Sequence, residues 1–370
     1  MIYLDNAATT FPKPDCVIDT VSDFMKNYGG NPGRGGHFLS DIAAEKVLEC
    51  REELASLIGA DKAERIIFTK NTTEAINLAV KGTLKKGDEI IISSMEHNSV
   101  LRSCINLEKH GVIVKIAKAD SSGCLSVKSV FDIITPSTKM ICVIHASNVV
   151  GTVNPIRDIY KIAQKKGIIM LVDAAQSGGI LEIDNDCADM IAFAGHKGLY
   201  GPFGTGALYI KPGIRPDTLI EGGTGSLSES ALMPDIFPDR YEAGTLNACG
   251  IAGLCEGIKF VKKEGVAEKE HMLKKILIEK FSAVNGIKIL GTPDIGVIGI
   301  HVKEHDCVDI CTRLNSEYTI AARAGLHCSP MAHRTLGNVT TGLVRFSIGY
   351  FNTEEEISKA AMALENVIKH

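Results

Sequence analysis

The sequence predicts an α/β fold, with a three-layer large domain around a mostly parallel sheet and a smaller α+β domain. From about residue 65, short β-branched runs alternate with longer amphipathic segments. Because these runs are apolar on both faces, we expect strands of a sheet that helices cover on both sides. From about residue 247 the pattern changes to long helical stretches with few strands. The length of 370 residues also favours two unequal domains over one.

The elements follow one another in a regular order. The strands of the large sheet are predicted over residues 65–69, 88–93, 112–117, 139–146, 168–173, 189–195 and 206–211. Helices are predicted over residues 73–85, 99–110 and 156–167. Later strands are expected over 295–303 and 343–349, with a final helix over 353–368. We expect the large domain to span residues 12–253 and the small domain to comprise residues 1–11 and 254–370.

Composition and charge exclude several classes of protein. Lys and Arg number 40 and Asp and Glu number 44, a balance that argues against a nucleic-acid-binding face. No run of about 18 apolar residues could span a bilayer. The 11 cysteines include no C-x-x-C pair, and the chain opens at MIYLDNAATT without a signal segment. We therefore expect a cytoplasmic protein with mostly reduced thiols, no membrane span and no nucleic-acid partner.

Polar side chains follow the predicted strands at the points where these strands end. Open α/β sheets bind ligands beyond the carboxyl ends of their strands, so these side chains are the first candidates for a site. They are Thr72, Thr73, Glu96, His97, Asn98, Ser147, Asn148, Asp173 and Gln176.

One pair of residues indicates a particular cofactor. Asp173 ends a buried strand, and Lys197 follows in the glycine-rich stretch AGHKGLYGPFGTG. A lysine that loses its proton can form a Schiff base, and a carboxylate can hold a pyridinium nitrogen protonated. Taken alone, each has a structural explanation: a surface lysine in a glycine turn, and an aspartate that caps a loop. Together with His97 they favour pyridoxal 5'-phosphate.

The stretch NTTEAINLA, residues 71–79, suits the phosphate of such a cofactor. Two hydroxyls and free backbone N–H groups at a helix start form an anion site, although simple helix capping would use the same residues. His97 could stack its ring on the pyridine face and shuttle protons, or it could be a structural histidine.

Nine strings, in unbroken order from residue 4 to about residue 353, identify the family. The strings are LDNAATT, NTTEAINLA, EHNSV, SNVVGT, DAAQSGG, GHKGLYGPFGTG, EAGTLN, RAGLHC and VRFSIGYFNT. They resemble the class V aminotransferase family of pyridoxal-phosphate enzymes of fold type I. More narrowly, they resemble the group II cysteine desulfurases and selenocysteine lyases, whose catalytic cysteine follows R-x-G-x-H. The resemblance implies conversion of L-cysteine to L-alanine, with the sulfur transferred to Cys328 as a persulfide.

The resemblance also implies a role for each cofactor residue. Lys197 would hold the cofactor covalently and take the α-proton of the substrate. Asp173 would pair with the pyridine nitrogen, Gln176 would hydrogen-bond the ring oxygen, and His97 would stack on the ring. The phosphate would be bound by Thr72, Thr73 and His196.

Further residues are implied to act on the substrate and on a neighbouring subunit. Thr245 would reach the phosphate of the neighbouring subunit, which makes a homodimer with a shared active site part of the prediction. Asn148 and Arg345 would bind the substrate carboxylate, with Arg323 near a mobile loop; a guanidinium suits a carboxylate because it binds bidentately.

The chain departs from the family pattern at two positions. Ala194 stands where many members have a serine that contacts the phosphate, so we expect somewhat weaker cofactor retention. Leu326 stands where a subgroup has histidine, which leaves open the polarity around the reactive thiol.

Cys328 decides the reaction, because a desulfurase needs an accessible thiol that can approach the substrate sulfur. It lies in a polar Gly/His/Ser/Pro stretch, where Gly325 would give mobility and Arg323 and His327 could favour the thiolate. The persulfide would then pass to a sulfur-acceptor protein. The alternative is that Cys328 is one more small buried hydrophobe.

Three of the other cysteines, by contrast, are predicted to be packing residues. Cys307 and Cys311 share one face of a predicted helix, and Cys142 lies in a buried strand. His301 and His305 stand near Cys307, but no second ligand cluster accompanies them, so we expect no metal site.

Several functions compete with a desulfurase. A selenocysteine lyase or a cyst(e)ine C–S lyase would need nearly the same site, and a true aminotransferase would have no use for the Cys328 loop. A catalytically idle scaffold is disfavoured because Lys197, Asp173 and His97 are all present. A dinucleotide dehydrogenase is disfavoured because no G-x-G-x-x-G follows the first strand of the large sheet.

Overall fold

The computed structural model describes residues 1–33 and 36–369. Its strands are β1 (Ile2–Tyr3), β2 (Ile66–Thr69), β3 (Glu89–Ser93), β4 (Ile113–Ala117), β5 (Thr138–Ile144), β6 (Ile169–Asp173), β7 (Met190–Ala194), β8 (Gly206–Ile210), β9 (Ile287–Leu290), β10 (Val297–Val302), β11 (Ile320–Ala321), β12 (Arg323–Gly325) and β13 (Leu343–Ser347). Its helices are α1 (Asp15–Asn27), α2 (Phe38–Leu57), α3 (Thr72–Thr83), α4 (Asn98–Glu108), α5 (Val127–Phe131), α6 (Ile156–Lys165), α7 (Ala248–Lys263), α8 (Val266–Ser282), α9 (Cys307–Tyr318), α10 (Pro330–Thr335) and α11 (Glu354–Lys369).

A seven-stranded sheet in the order β2-β8-β7-β6-β5-β3-β4 forms the centre of the large part of the chain. Strands β3 to β7 are paired in parallel, and β8 runs antiparallel to both of its neighbours. The predicted α/β class with a mostly parallel sheet is therefore confirmed. Each predicted strand and helix of this part is present, with its ends shifted by a few residues.

Helices cover both faces of this sheet, as the apolar strands require. Successive side chains of a strand point to opposite faces. Ile90 and Ile92 accordingly pack in the cluster on the α3 and α4 side, while Ile91 packs in the cluster on the α2, α6 and α7 side. Burial of one such side chain stabilises the fold by roughly 1.5–3 kcal/mol.

The edge strand β4 differs from the prediction of strands buried on both faces. Ile113 and Ile116 are 49% and 45% exposed, because β4 pairs with β3 on one side and has no neighbouring strand on the other within the described part of the chain.

A second core lies in the C-terminal part of the chain. The antiparallel sheet β12-β13-β10-β9 packs with α8, α9 and α11 around Phe281 and Phe346. Leu4 belongs to this core, and β1 pairs in parallel with β11. Cys307 is buried in it and Cys311 packs against it, as predicted, and Cys142 is buried in β5.

The predicted domain boundary at residue 253 falls within one helix. Helix α7 runs continuously from Ala248 to Lys263, through residue 253, and packs against α1 and α2 of the large part. The division at residues 11 and 253 stays a prediction, and residue 370 of the predicted small domain lies outside the described residues. Within those residues, every helix is too short or too polar to cross a membrane.

Candidate functional site

The candidate residues meet in a cavity of about 300 Å³ at the carboxyl ends of the parallel strands. The wall is completed by β12, β13 and the segment between β12 and α10. The sequence-predicted residues on the wall are Thr72, Thr73, His97, Asn148, Asp173, Gln176, His196, Lys197, Arg323, Cys328 and Arg345.

Lys197 and Asp173 both lie on this wall, and burial shifts the pKa of each towards its uncharged form. Burial lowers the pKa of Lys197 to about 8, and the nearby Asp173 opposes that shift. Asp173 is itself buried at the end of β6, and burial raises its pKa, while the Ala175 N–H and Lys197 act in the opposite direction. Its Oδ1 accepts the Ala175 N–H at 2.9 Å. Its second carboxylate oxygen has no hydrogen-bond donor among the described residues, which suits a protonated ring nitrogen.

The start of α3 presents unsatisfied donors to the cavity. Asn71 caps the helix, and its Oδ1 accepts the Glu74 N–H at 3.0 Å. The N–H groups of Thr72 and Thr73 precede the first helical hydrogen bond and have no acceptor among the described residues. The Thr72 hydroxyl and the Nδ1 of His196 are buried without a hydrogen-bond partner in the described part of the chain. Buried polar groups are normally paired, so these orphaned groups fit a bound phosphate.

His97 is a neutral ring with a fixed tautomer. It is the N-cap of α4, and its Nδ1 accepts the Ser99 N–H at 3.1 Å. Nδ1 therefore carries no proton, and Nε2 carries one. Burial, helped by Lys197 and Arg323, lowers the pKa of His97 to about 4. At neutral pH this histidine offers the cavity a flat neutral ring and one N–H donor.

Gln176 is only partly available to a ligand. Its Nε2 donates to the Ala7 carbonyl at 2.9 Å, which leaves the second N–H and the side-chain oxygen free of described protein partners.

In this structure the loop that carries Cys328 is hydrogen-bonded to its surroundings, and its mobility stays a prediction. The Asn98 N–H donates to the Cys328 carbonyl at 2.7 Å, and Asn148 Nδ2 donates to the His327 carbonyl at 2.8 Å. His327 and Cys328 both adopt positive φ, at 52° and 56°. Residues other than glycine rarely adopt this backbone conformation, so the surrounding hydrogen bonds must stabilise it. Gly325 has a φ of 103°, a conformation that glycine adopts without strain, so it permits the turn before this loop.

His327 does not supply the positive charge that was expected to favour the Cys328 thiolate. It is buried, and this burial lowers its pKa to about 3, so the ring is neutral. Its Nε2 donates to the Arg323 carbonyl at 3.1 Å, and its Nδ1 lies 3.4 Å from Nε2 of the buried His333. Arg323 remains as the charged neighbour of this loop on the cavity wall. Sequence reasoning missed His333, since nothing in its local sequence marks a contact with His327.

The predicted carboxylate ligands are already engaged with protein groups. Asn148 Oδ1 accepts the Ser329 hydroxyl at 2.8 Å while its Nδ2 holds the loop. Arg345 donates to Asp5 at 2.6 Å and to the Asn148 carbonyl at 3.0 Å, and its Nε is buried without a described partner. Arg323, which pairs with Arg345 across the strands, forms no ion pair with a described residue. A substrate carboxylate would therefore compete with Asp5 for Arg345 but not for Arg323.

Three further positions lie apart from the cavity wall. Thr245 is exposed and lines other cavities, beside the buried ion pair of Arg51 and Glu242. Ala194 is buried at the end of β7 and does not line the cavity, so its effect on cofactor retention stays a prediction. Leu326 is 37% exposed, next to Cys328.

Glu96 is a buried acid that the sequence marked only by its position after β3. Its Oε1 accepts the Ile144 N–H at 2.9 Å and the Ser93 hydroxyl, while its Oε2 has no described partner. Burial raises its pKa to about 8, and the charge of Asp173 acts in the same direction. Glu96 is therefore largely uncharged at neutral pH, so it places no second negative charge near Asp173.

We predict that Glu96→Gln changes how stability depends on pH. Because the folded-state pKa of Glu96 lies above its unfolded value, its contribution to stability is fully present below about pH 4.5 and lost as the pH rises towards 8. Relative to the wild type, the free energy of unfolding of Glu96→Gln should rise by about 2 kcal/mol between pH 6 and pH 8. Urea unfolding at several pH values measures this, with the exposed Glu108→Gln as the control. Equal pH trends for all three proteins would contradict it.

Known proteins resemble this chain over almost its whole length. The family model for "Aminotransferase class-V" matches residues 2–359. A protein of Methanothermobacter thermautotrophicus, named "Probable cysteine desulfurase", is 37% identical over 379 residues, covering 99% of this chain and 94% of that relative.

Solved structures of cysteine desulfurases are also similar to this chain over almost its whole length. The apo structure of a cysteine desulfurase from Thermococcus onnurineus has a TM-score of 0.91 and 32% identity, covering 100% of this chain and 94% of that one. An Escherichia coli cysteine desulfurase in an S-sulfonic acid form has a TM-score of 0.88 and 26% identity, covering 99% and 94%. On these matches, and with the predicted residues gathered in one cavity, the chain belongs to the class V aminotransferase family.

Proposed function

We propose that this protein is a pyridoxal-phosphate-dependent cysteine desulfurase that converts L-cysteine to L-alanine and takes the sulfur onto Cys328. The observation that carries the proposal is the meeting of Lys197, Asp173 and Cys328 on the wall of one cavity. Cys328 is exposed, whereas most of the other cysteines are at least partly buried. The desulfurase names of the relatives and structural neighbours support the same reaction.

The residues present fit the cofactor at both of its charged ends. The Thr72 hydroxyl and His196 Nδ1, which lack partners among the described residues, would hold the phosphate together with the backbone N–H of Thr73 in the first turn of α3. Asp173 would keep the ring nitrogen protonated. When bound, pyridoxal phosphate supplies the electron sink that lets the α-proton of an amino acid leave.

Lys197 would hold the cofactor and afterwards move a proton. An amine with a pKa near 8 is neutral in a useful fraction at neutral pH, so its Nζ can accept the α-proton of the substrate. His97, with its neutral ring and its Nε2–H, would cover the cofactor face and orient a polar group of the substrate. Asn148, Arg323 and Arg345, which all line the cavity, would bind the substrate carboxylate.

The sulfur step balances within the site. The Cys328 thiolate attacks the substrate sulfur, a new S–S bond forms and the C–S bond breaks. The carbon keeps the bonding electron pair and takes up a proton, so alanine is released and a persulfide remains on Cys328. A thiol acceptor is then needed to regenerate the enzyme.

A second copy of the chain would complete the site. Thr245 is exposed and outside the cavity of its own chain, which supports a role at the cavity of a neighbouring subunit. We therefore propose a homodimer with a shared active site.

The test is the product balance with L-cysteine and dithiothreitol. Equal amounts of alanine and sulfide are expected. Pyruvate and ammonia in place of alanine would establish a C–S lyase, and turnover only in the presence of a keto acid would establish an aminotransferase. If the purified protein never binds pyridoxal phosphate, the whole proposal is wrong.

We predict that cofactor uptake depends on pH through Lys197. Only the neutral amine reacts with the cofactor aldehyde, and the neutral fraction rises with pH up to the pKa. With a pKa of about 8, the uptake rate of cofactor-free protein should rise roughly tenfold from pH 6 to pH 7 and level off above pH 8. Rapid mixing with absorbance detection measures the rate. A rate that still rises tenfold between pH 9 and pH 10 would show an ordinary lysine instead.

A further inference from the structure

The turn that follows Lys197 has a backbone conformation that its own residues do not favour. The Tyr200 N–H donates to the Lys197 carbonyl at 2.8 Å, and the Gly201 N–H donates to the Gly195 carbonyl at 2.8 Å. Tyr200 has a φ of 54° in this turn. Residues with a bulky side chain rarely adopt this conformation, so contacts elsewhere in the fold must stabilise it. Because Tyr200 bonds to Lys197 itself, these contacts also affect the position of the lysine.

The Tyr200 side chain supplies such a contact, through a buried hydrogen bond to the C-terminal part of the chain. Its hydroxyl donates to Oε1 of Glu270, on α8, at 2.8 Å and accepts the Tyr350 N–H at 2.6 Å. Tyr200 is 1% exposed and Glu270 is 6% exposed. The Tyr200 ring also packs against Phe260 and Phe351. The side chain of Tyr200 therefore connects the turn to helix α8.

Glu270 takes no part in the proposed chemistry, although it is a buried acid. Burial raises its pKa to about 7, and hydrogen bonds from Tyr200 and Tyr350 oppose this shift. No lysine, arginine or histidine of the described residues forms an ion pair with it. Burial of a carboxyl without a cation is unfavourable for folding, and such groups are common at functional sites. Glu270 is therefore a candidate for a role in function.

Glu270 and Lys197 line the same small cavity, behind the candidate site. The cavity has a volume of about 30 Å³, and its polar lining residues are Asn6, Thr10, Gln176, Lys197 and Glu270. Gln176 and Lys197 also line the cavity of the candidate site, so the two cavities share part of a wall. A polar space of this size is large enough to hold water. Close packing therefore does not fix Lys197 on this side, and the hydrogen bonds of its turn must hold it.

We propose that Glu270 is a positioning residue for Lys197, which it holds through the Tyr200 hydroxyl. The inference rests on the proposed function, in which Nζ of Lys197 binds the cofactor and accepts the α-proton of the substrate. Both steps depend on the placement of Nζ, and a displacement of about 1 Å can slow such a step by a factor on the order of a hundred. Glu270 does not line the cavity of the candidate site, so it acts through Tyr200 and not on the ligands.

The rate at which cofactor-free protein takes up pyridoxal phosphate tests the inference without any turnover. Tyr200→Phe removes the hydroxyl and keeps the ring, and Glu270→Leu removes the acceptor. At one pH, we expect each variant to take up the cofactor roughly tenfold more slowly than the wild type. Glu270→Gln keeps a side-chain oxygen that can accept from Tyr200, so its rate should stay within roughly twofold of the wild type. Rapid mixing with absorbance detection measures these rates.

Turnover of L-cysteine with saturating cofactor separates positioning from substrate binding. Tyr200→Phe and Glu270→Leu should lower kcat roughly tenfold and leave KM within roughly twofold, because the residues that would bind the substrate carboxylate are unchanged. A raised KM with an unchanged kcat would contradict a role in positioning Lys197. If the wild type does not turn over L-cysteine at all, the desulfurase function is wrong, and the uptake rates still test the positioning of Lys197.

Tyr160→Phe is the matched control, because it removes a hydrogen bond of the same kind at another place. The Tyr160 hydroxyl donates to Oδ1 of Asp189 at 2.8 Å, and Tyr160 is 2% exposed. It lies on α6 and does not line the cavity of the candidate site. We expect Tyr160→Phe and Tyr200→Phe to lower the midpoint of urea unfolding by similar amounts. The uptake rate and kcat of Tyr160→Phe should nevertheless equal those of the wild type.

Three results would overturn the inference. The first is a loss of uptake and turnover in Tyr160→Phe as large as in Tyr200→Phe, because destabilisation alone would then explain both. The second is wild-type uptake in Tyr200→Phe. The third is an equal loss in Glu270→Gln and Glu270→Leu, since only the leucine variant lacks an acceptor for Tyr200. If Glu270→Leu does not fold, the comparison of Tyr200→Phe with Tyr160→Phe decides.

Discussion

Replacement of Lys197 by alanine is expected to abolish turnover of L-cysteine, with a loss of at least about a thousandfold. The side chain is the amine on the cavity wall whose pKa is lowered to about 8, so its removal takes away both the covalent attachment and the proton acceptor. Wild-type protein should be yellow with bound cofactor, and borohydride should fix the cofactor on the peptide that contains Lys197. Mass spectrometry of the tryptic peptides gives the position directly.

Lys13 provides a matched control for this experiment. Burial lowers its pKa to about 7, yet its Nζ donates to the Thr10 hydroxyl and the His196 carbonyl and does not line the cavity. Lys13→Ala should therefore keep the covalent cofactor and most of the turnover. Cofactor fixed on Lys13, or full activity in Lys197→Ala, would contradict the assignment of Lys197.

Cys328→Ser is expected to lower alanine and sulfide formation from L-cysteine by at least about a hundredfold while leaving cofactor binding intact. Serine preserves the size of the side chain and the backbone contacts of the loop, but its hydroxyl is far too weak an acid to attack sulfur at neutral pH. The absorbance of the bound cofactor and its change on addition of L-cysteine report that the substrate still enters the cavity.

The matched control is Cys16→Ser, because Cys16 is also exposed but lies on α1, outside the cavity. It should retain wild-type rates. Undiminished turnover of L-selenocysteine by Cys328→Ser, with turnover of L-cysteine lost, would point to a selenocysteine lyase. Undiminished turnover of both L-cysteine and L-selenocysteine would show that Cys328 takes no part in the reaction.

The secondary structure could be predicted because the signals are local. Runs such as IIMLVD are apolar and rich in β-branched residues, and the helices between them are amphipathic. The hydrophobic period and the length of each segment therefore already indicate whether it forms a strand or a helix. The cavity position followed from the rule that parallel strands place their carboxyl ends at one edge of the sheet. Thr72 and His97 follow such ends, Asp173 is the last residue of β6, and the structure places all three on one wall.

The contacts that hold the Cys328 loop could not be predicted in this way. Asn148 bonds to His327 and Ser329, which lie about 180 residues further along the chain. The side-chain chemistry of Asn148 suits a carboxylate as well as a loop, so only the folded arrangement distinguishes the two. The contact of His327 with His333 could not be predicted either. The two residues are six positions apart, and a turn and the start of a short helix lie between them, so their distance depends on the backbone conformation.

Residue types along the chain were enough to indicate the α/β class and the family, and to predict a cofactor with a reactive lysine and cysteine, because each depends on local pattern and on functional groups. The protonation states depended on the tertiary structure. A lysine, two histidines and a glutamate depart from their ordinary pKa values here because burial penalises their charged forms, and burial is a property of the whole fold. The same packing made His327 a neutral support of the loop, and left Arg323 on the cavity wall without an ion pair among the described residues.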